Sequence, residues 1–334
     1  MELAEQKSRR LRRVNDMKAY IGIDLGGTFI KYGLVSEVGE IIEKGKISTP
    51  AGCGYTETVE AIATATNGLA NQNGVPICGL GIGAPGVVDG EKGIVRTSGN
   101  LGWENKPLAE DLSERLGIPV TLANDANAAA FGEYACGAGK QYNSIVLITL
   151  GTGVGSGIVL NGKLYEGNEG AGAELGHEVI RFGGEKCACG RQGCFEAYAS
   201  ATALIKQTQR AMEKDRQSTL WQLCNGDINN VNGKTAFDGA QSGDKTAKRV
   251  VNNYLRYLSE GIANIANTFR PEVILIGGGI SAQGETLTKP LQKRLDKLML
   301  GHGKYAPVKI LAASLGNDAG LVGAAMLAKE RERR

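Results

Sequence analysis

The first apolar run of the chain reads Ala19-Tyr20-Ile21-Gly22-Ile23-Asp24-Leu25-Gly26-Gly27-Thr28. It has the pattern of a strand that ends at an aspartate and opens into a glycine turn. The pattern returns near the middle of the chain, where Ser144 to Leu150 opens into Gly151-Thr152-Gly153, and a third turn, Gly277-Gly278-Gly279, follows Val273 to Ile276. Because two matching turns fall one in each half, we expect duplicated βββαβα-like domains that face a shared cleft.

Outward from these turns, strands alternate with helices, which is typical of the α/β class. The pattern predicts strands at 31–35, 41–47, 78–83, 120–123 and 308–312, with a hairpin that turns at Asn161-Gly162. It predicts helices at 56–69, 108–116, 126–134, 199–212, 245–269 and 321–329.

Length and composition set broad bounds on the protein. The chain has 334 residues, 42% hydrophobic and 22% charged, which suits two globular domains. It shows no secretory apolar segment and no apolar run of membrane-spanning length, so we expect no membrane association. Seven cysteines are an odd number for a disulfide framework, which favours a cytoplasmic location.

The formal net charge of +3 resides at the start of the chain. Residues 1–19 form a basic tail, expected to be disordered, and the rest of the chain balances at 32 basic and 32 acidic residues. The rest of the chain therefore has no excess of basic residues, and we expect no nucleic-acid partner.

The glycine turns predict a nucleotide site. Backbone N–H groups of such turns bind phosphate oxygens, Thr28 and Thr152 add hydroxyl donors, and Asp24 beside phosphates would act through Mg²⁺. The chain contains no GxxxxGK[ST] motif. Residues 81–86 match GxGxxG, but no helical pattern follows them, so we interpret this segment as a sugar-side loop rather than a dinucleotide site.

A second cluster has the composition of a zinc site. It consists of Glu174-Leu175-Gly176-His177 followed by Cys187-Ala188-Cys189-Gly190-Arg191-Gln192-Gly193-Cys194-Phe195-Glu196. Three thiols and one imidazole complete a tetrahedral ligand set, which leaves no open position and predicts a structural metal. The flanking carboxylates, Glu174 and Glu196, suit a ligand rich in hydroxyl groups.

Asp125 lies where a predicted strand meets a predicted helix. A carboxylate there can act as a general base in phosphoryl transfer, which demands mainly positioning and charge stabilisation. The same position also suits a helix N-cap. The residues alone leave both interpretations open.

These motifs occur in the order of a known family. The chain resembles the ROK family (repressor, open reading frame, kinase) of the actin-like ATPase superfamily from about Tyr20 to about Ala328, and is most similar to its bacterial glucokinases. The residues that carry the resemblance are Asp24-Leu25-Gly26-Gly27-Thr28, Ala84-Pro85-Gly86, Asn124-Asp125-Ala126-Asn127-Ala128, Leu150-Gly151-Thr152-Gly153, Glu174-x-Gly-His177 and the cysteine segment.

The resemblance implies transfer of the γ-phosphoryl group of ATP to the 6-hydroxyl of a hexose, and glucose is the hexose that it favours. It implies an actin-like fold, with residues 20–124 and 318–334 as a small domain and 125–317 as a large one that carries the zinc loop. A homodimer or homotetramer is implied as well. Ser156 stands where the family usually has glycine.

The family roles fall on particular residues. Asp125 is implied as the general base. The implied sugar-binding residues are Asn100, Asn124, Asp125, Glu174, His177 and Glu196. Those implied for ATP and Mg²⁺ are Asp24, Gly26, Gly27, Thr28, Thr152, Gly153 and Gly278. The implied ligands of a structural Zn²⁺ are His177, Cys187, Cys189 and Cys194.

Three other interpretations stay open. The acceptor can be another hexose, such as N-acetylmannosamine, N-acetylglucosamine or fructose, because the motifs recognise hydroxyls that these sugars share. A sugar-responsive regulator is the alternative class. It is less favoured, because nineteen residues before the first strand are too few for a winged helix-turn-helix. A non-catalytic sensor fits poorly with Asp125.

Overall fold

Two five-stranded sheets with the same strand order form the framework of the protein. The computed structural model describes residues 18–50, 52 and 54–332. In the first sheet the strands lie in the order 41–48, 29–36, 19–25, 77–84 and 120–124, and in the second in the order 163–165, 154–160, 145–150, 273–277 and 309–312. In each sheet the outer hairpin strands are antiparallel and the remaining neighbours are parallel. The expected duplicated α/β halves are therefore present.

The strands of the first half are β1 (Ala19–Leu25), β2 (Phe29–Ser36), β3 (Ile41–Ser48), β4 (Ile77–Ala84) and β8 (Val120–Asn124). Between β4 and β8 lies a small antiparallel sheet of β5 (Val87–Asp89), β6 (Ile94–Ser98) and β7 (Trp103–Lys106). The second half contains β9 (Ile145–Leu150), β10 (Val154–Leu160), β11 (Lys163–Tyr165), β12 (Val273–Gly277) and β13 (Lys309–Ala312).

Ten α-helices occur among the described residues. They are α1 (Tyr55–Asn73), α2 (Leu108–Leu116), α3 (Asp125–Cys136), α4 (Glu196–Ala199), α5 (Ala201–Lys214), α6 (Leu220–Leu223), α7 (Thr235–Gln241), α8 (Lys245–Phe269), α9 (Glu285–Leu298) and α10 (Ala319–Glu332).

Two helices connect the halves. Helix α3 follows the first sheet and packs against β4, β9 and β10, whereas α10 follows the second sheet and packs against β1 and β4. Glycines allow the close approach: a Cβ at Gly81 would overlap the carbonyl oxygen of Ala324, and one at Gly323 would overlap that of Ala128. The two helices therefore contact each other and the sheet with almost no side chain between them.

A buried carboxylate ties this junction together. Glu133 on α3 is fully buried, and it accepts hydrogen bonds from the backbone N–H groups of Ala138, Ser314 and Leu315 at 2.9, 2.9 and 2.6 Å. Three charge-assisted bonds satisfy the carboxylate without a cation. They hold the segment that leads into α10 against α3.

The structure departs from the expected helices in several places, and α6, α7 and α9 lie outside every predicted helix. The helix expected at 199–212 is present as α5 but begins two residues later, because the extended backbone of Ser200 ends α4 and its hydroxyl caps α5 by accepting from Ala203 N at 3.0 Å. Helix α9 was not anticipated, because Pro290 inside it obscured the pattern. Its fully buried leucines, Leu287, Leu291 and Leu295, repeat every four residues and were the available signal.

Residues 1–17 of the predicted basic tail, together with Ala51, Cys53 and residues 333–334, are outside the described residues. Ala19, which had been assigned to the tail, is a buried residue of β1. No helix within the described residues has the length and apolar character needed to cross a membrane.

Candidate functional site

The first glycine turn joins β1 to β2 at the edge of the cleft. Leu25 pairs with Ile30 at the end of the two strands, and Gly26 N–H donates to the Phe29 carbonyl at 2.9 Å. Thr49 supports the turn from behind, since its hydroxyl donates to the Gly26 carbonyl at 2.6 Å. Gly27 and Thr28 remain exposed at the tip. Turns of this kind can bind anions.

The second glycine turn occupies the equivalent place between β9 and β10. Leu150 pairs with Val154, and Gly151 N–H donates to the Gly153 carbonyl at 3.0 Å, which leaves Thr152 exposed at the tip. The third turn follows β12, the neighbour of β9. Gly278 has φ +77°, and a Cβ there would lie 2.5 Å from the Leu150 carbonyl oxygen. Two of the three turns are thus in direct contact.

Asp24 does not stand alone at the end of β1. The Lys31 ammonium lies 2.7 Å from Asp24 Oδ2, and the two residues are register partners across β1 and β2. This pairing was missed from the sequence, although the short hairpin brings the two residues opposite each other. A carboxylate and an ammonium group therefore lie next to the first glycine turn.

The start of α3 separates the two interpretations of Asp125. Asn124 is the N-cap, and its side-chain oxygen accepts from Ala126 N and Asn127 N at 2.9 and 3.2 Å. The N-cap interpretation of Asp125 is therefore wrong. Asp125 is the first helical residue, and its side chain is exposed while one oxygen accepts from Ala126 N at 2.8 Å. The second carboxylate oxygen is available for chemistry.

The surroundings raise the pKa of Asp125. Desolvation by the neighbouring protein is the largest cause, even though the carboxylate reaches solvent at the cleft floor, and the negative charges of Asp24 and Glu174 add to it. Three carboxylates from three elements thus face one region. A raised pKa brings a carboxylate closer to the range useful for proton transfer.

We predict that Asp24→Asn lowers the pKa of Asp125. The substitution removes a nearby negative charge and leaves the Lys31 ammonium unpaired, and both changes favour the ionised carboxylate. Carboxyl ¹³C shifts of labelled aspartate, followed through a pH titration, would measure the effect without requiring activity. The charge-matched control Asp227→Asn, in the distant 227–230 turn, should leave the Asp125 midpoint unchanged. An unchanged midpoint in Asp24→Asn would contradict the proposed coupling.

Further polar groups surround Asp125 from the first half. Asn124 Nδ2 donates to the Gly86 carbonyl at 3.0 Å, so the 84–86 loop is held at the start of α3. This loop continues into strand β5 and opens no helix, which confirms that it is not a dinucleotide motif. Asn100 lies beside the first turn, where a Cβ at Gly27 would be 3.3 Å from the Asn100 carbonyl oxygen.

The four residues expected to bind zinc form one cluster. Their ligand atoms, on His177, Cys187, Cys189 and Cys194, lie within 4.8 Å of one another. His177 Nδ1 is 3.6 Å from Cys187 Sγ, and Cys189 Sγ is 3.7 Å from Cys194 Sγ. Tetrahedral zinc with its usual bond lengths would separate such atoms by about 3.5–3.8 Å. The residues therefore fit a closed zinc centre.

The remaining described cysteines are not part of this cluster. Cys78 and Cys136 are half-buried and Cys224 is buried, each without a disulfide. They fit the expected role of small apolar or loop residues.

Glu196 connects the cysteine loop to the second glycine turn. It follows Cys194 closely in sequence, and its Oε2 accepts from Val154 N at 3.0 Å. Its Oε1 lies 3.5 Å from Cys187 Sγ. A Cβ at Gly153 would overlap the carboxylate, so a larger residue at that position of the turn would have to displace the Glu196 side chain. The cysteine loop and the second turn are therefore one structural unit.

The duplicated halves and the glycine turns after β1, β9 and β12 are those of an actin-like α/β protein. The chain belongs to the ROK family, whose family model matches residues 20–331. The glucokinase of Thermotoga maritima is 41% identical over 314 residues, which cover 93% of this chain and 97% of that protein.

Two further similarities bear on the class of protein. The crystal structure of a ROK family glucokinase from Streptomyces griseus in complex with glucose and AMPPNP has a TM-score of 0.78 and 38% identity, with 93% of this chain and 99% of that chain covered. The xylose repressor of Caldicellulosiruptor bescii is 30% identical over 294 residues, which cover 86% of this chain and 72% of the repressor.

Proposed function

We propose that this chain is a glucokinase, which transfers the γ-phosphoryl group of ATP to the 6-hydroxyl of glucose. The observation that carries the proposal is the placement of Asp125, which is not the N-cap of α3 and lies close enough to Asp24 and Glu174 for their charges to raise its pKa. The similarity to two glucokinases at about 40% identity supports glucose as the acceptor.

The reaction asks little covalent chemistry of the protein. Asp125 accepts the proton of the 6-hydroxyl while the oxygen of that hydroxyl attacks the γ-phosphorus. The bond from the γ-phosphorus to the β-γ bridging oxygen breaks, and ADP leaves. The raised pKa of Asp125 suits the proton transfer, provided that the carboxylate is ionised before attack.

The donor side is assigned to the glycine turns. The glycine turns at Gly26, Gly27, Gly153 and Gly278, with the hydroxyls of Thr28 and Thr152, are proposed to hold the phosphates of ATP. When bound, Mg²⁺ neutralises phosphate charge, and Asp24 is the residue proposed to hold it, directly or through water. Lys31, already paired with Asp24, adds a positive charge at the same edge.

The acceptor side is assigned to Asn100, Asn124, Glu174, His177 and Glu196, together with Asp125. Carboxylate and amide oxygens accept hydrogen bonds from sugar hydroxyls, and the amide of Asn124 also secures the 84–86 loop. His177, Cys187, Cys189 and Cys194 hold a structural Zn²⁺, whose closed shell fixes the loop that carries Glu196. We further propose that residues 20–124 with 318–334 and residues 125–317 act as two lobes that close on the sugar.

The test is a panel of sugars with ATP and Mg²⁺, with ADP release as the readout. We predict that kcat/KM is highest for glucose among glucose, mannose, fructose, N-acetylglucosamine and N-acetylmannosamine. Replacement of ATP by polyphosphate in parallel identifies the phosphoryl donor.

Each other outcome has a defined meaning. A preference for an N-acetyl sugar would keep the mechanism and overturn the choice of glucose. Sugar binding without turnover on any member of the panel would refute the kinase proposal and favour a sugar-responsive regulator, the class to which the similar xylose repressor belongs.

A further inference from the structure

Glu174 stands at the apex of an unusually tight turn. Its backbone has φ −81° and ψ 55°, and the N–H of Leu175 donates to the carbonyl of Ala173 at 2.9 Å. These values describe an inverse γ-turn, in which a single residue forms the bend. The direction of the Glu174 side chain therefore depends on how firmly this three-residue turn is held.

The hydroxyl of Ser156 bridges the two ends of that turn. It donates to the Ala173 carbonyl oxygen and accepts from Leu175 N at 3.1 Å. Ser156 lies on β10 and is 7% exposed, so water offers little competition for these bonds. One side chain thus fastens the residue before Glu174 and the residue after it to the second sheet.

The backbone before Glu174 needs such support. Ala173 has φ +62°, a left-handed conformation that residues with a Cβ rarely adopt. After Glu174 the chain has other anchors, because Leu175 is buried in the core and Gly176 packs directly on the carbonyl of Val154. Ser156 is the side chain that holds the strained side of the turn.

We propose that Ser156 is a positioning residue for the sugar, which acts through Glu174. This inference rests on the proposed function, since it takes Glu174 as a ligand of the sugar hydroxyls. Ser156 itself is buried behind the turn and bonds backbone rather than substrate. Without its hydroxyl, the left-handed Ala173 can relax and the Glu174 carboxylate loses the fixed position that the turn gives it.

The test is Ser156→Ala, measured for both substrates. We expect KM for glucose to rise about tenfold, with kcat and KM for ATP within about twofold of wild type and with the zinc content unchanged. KM does not depend on how much of the preparation is folded, so a loss of stability cannot imitate this result. The matched control is Ser259→Ala, which removes another buried hydroxyl, bonded to the Leu255 carbonyl at 2.6 Å within α8. It should leave KM for glucose unchanged.

A double-mutant cycle with Glu174→Gln makes the inference specific. We expect Glu174→Gln to raise KM for glucose and Ser156→Ala to add little in that background. A full additional effect, or an unchanged KM in Ser156→Ala beside a raised KM in Glu174→Gln, would overturn the role of Ser156. An unchanged KM in Glu174→Gln would instead refute the sugar-binding role assigned to Glu174, and with it the positioning role. Loss of turnover in the wild-type chain on every sugar would refute the proposed function itself.

Discussion

Asp125→Asn is expected to reduce kcat by roughly 10²–10⁴-fold, the range for removal of a general base. The amide keeps an oxygen that can accept from Ala126 N, so the start of α3 is preserved while the proton acceptor is lost. Steady-state ADP release on glucose measures the effect. The surface substitution Asp238→Asn on α7 serves as the control and should retain wild-type turnover. Near wild-type turnover in Asp125→Asn would contradict the role of Asp125 as the general base.

The same variant is expected to be at least as stable as the wild type at neutral pH. The pKa of Asp125 is raised on folding, so the folded state holds this proton more tightly than the unfolded chain does. The contribution of Asp125 to stability therefore falls as pH rises from the ordinary aspartate pKa through the raised one. Asparagine does not ionise, so the variant does not lose stability in this way. A Tm at pH 7 equal to or above that of the wild type, in an inactive variant, would separate lost chemistry from lost structure.

Cys194→Ser is expected to abolish stoichiometric zinc binding, to lower Tm and to raise KM for the sugar roughly 10–100-fold. Cys194 is fully buried within the cluster, and the next residues are Phe195 in the core and Glu196. A loop that has lost its metal no longer fixes the Glu196 carboxylate against Val154 N. Metal analysis, thermal unfolding and sugar kinetics on one preparation measure all three effects.

Cys224→Ser is the matched control for that experiment. Cys224 is also buried, but it lies in an apolar cluster with Met212 and Leu220, away from the four ligands. The Cys224→Ser variant should bind zinc stoichiometrically and keep the wild-type KM for the sugar. Chelation of zinc from the wild-type protein should reproduce the Cys194→Ser phenotype. Full sugar affinity in a zinc-free protein would contradict the structural role of the metal.

The sequence predicted the parts of the fold that depend on short-range patterns. Glycine turns after apolar strands marked both cleft edges, because a turn after a strand is a local property of a few residues. The hairpin at Asn161-Gly162 was predicted for the same reason, and both residues have positive φ. Helix α9 was missed because Pro290 weakened a local signal whose true support is the long-range burial of its leucines.

The site was predictable where its residues are adjacent in sequence and not where they meet through folding. The cluster of His177 with Cys187, Cys189 and Cys194 could be identified from spacing alone, since its three cysteines fall within eight residues. The pairing of Asp24 with Lys31 requires the strand register, and the support of Glu174 by Ser156 requires a turn to pack on a strand seventeen residues upstream. The role of Asn124 as the N-cap, which frees Asp125, became clear only from the positions of the side-chain oxygens.

The placement of α10 has a consequence for the order in which the protein can be made. This helix covers β1 and β4, and Tyr20 and Lys18 at the start of the first sheet bond Glu332 at its end. During synthesis the first sheet leaves the ribosome long before the helix that shields it. The first half therefore carries uncovered apolar surface until the second half has been translated, although domains otherwise tend to fold as they emerge. Nascent chains of this protein should depend on protection from aggregation until the last turns of α10 have been made. Chains truncated before α10 should fail to fold in the half that is synthesised first.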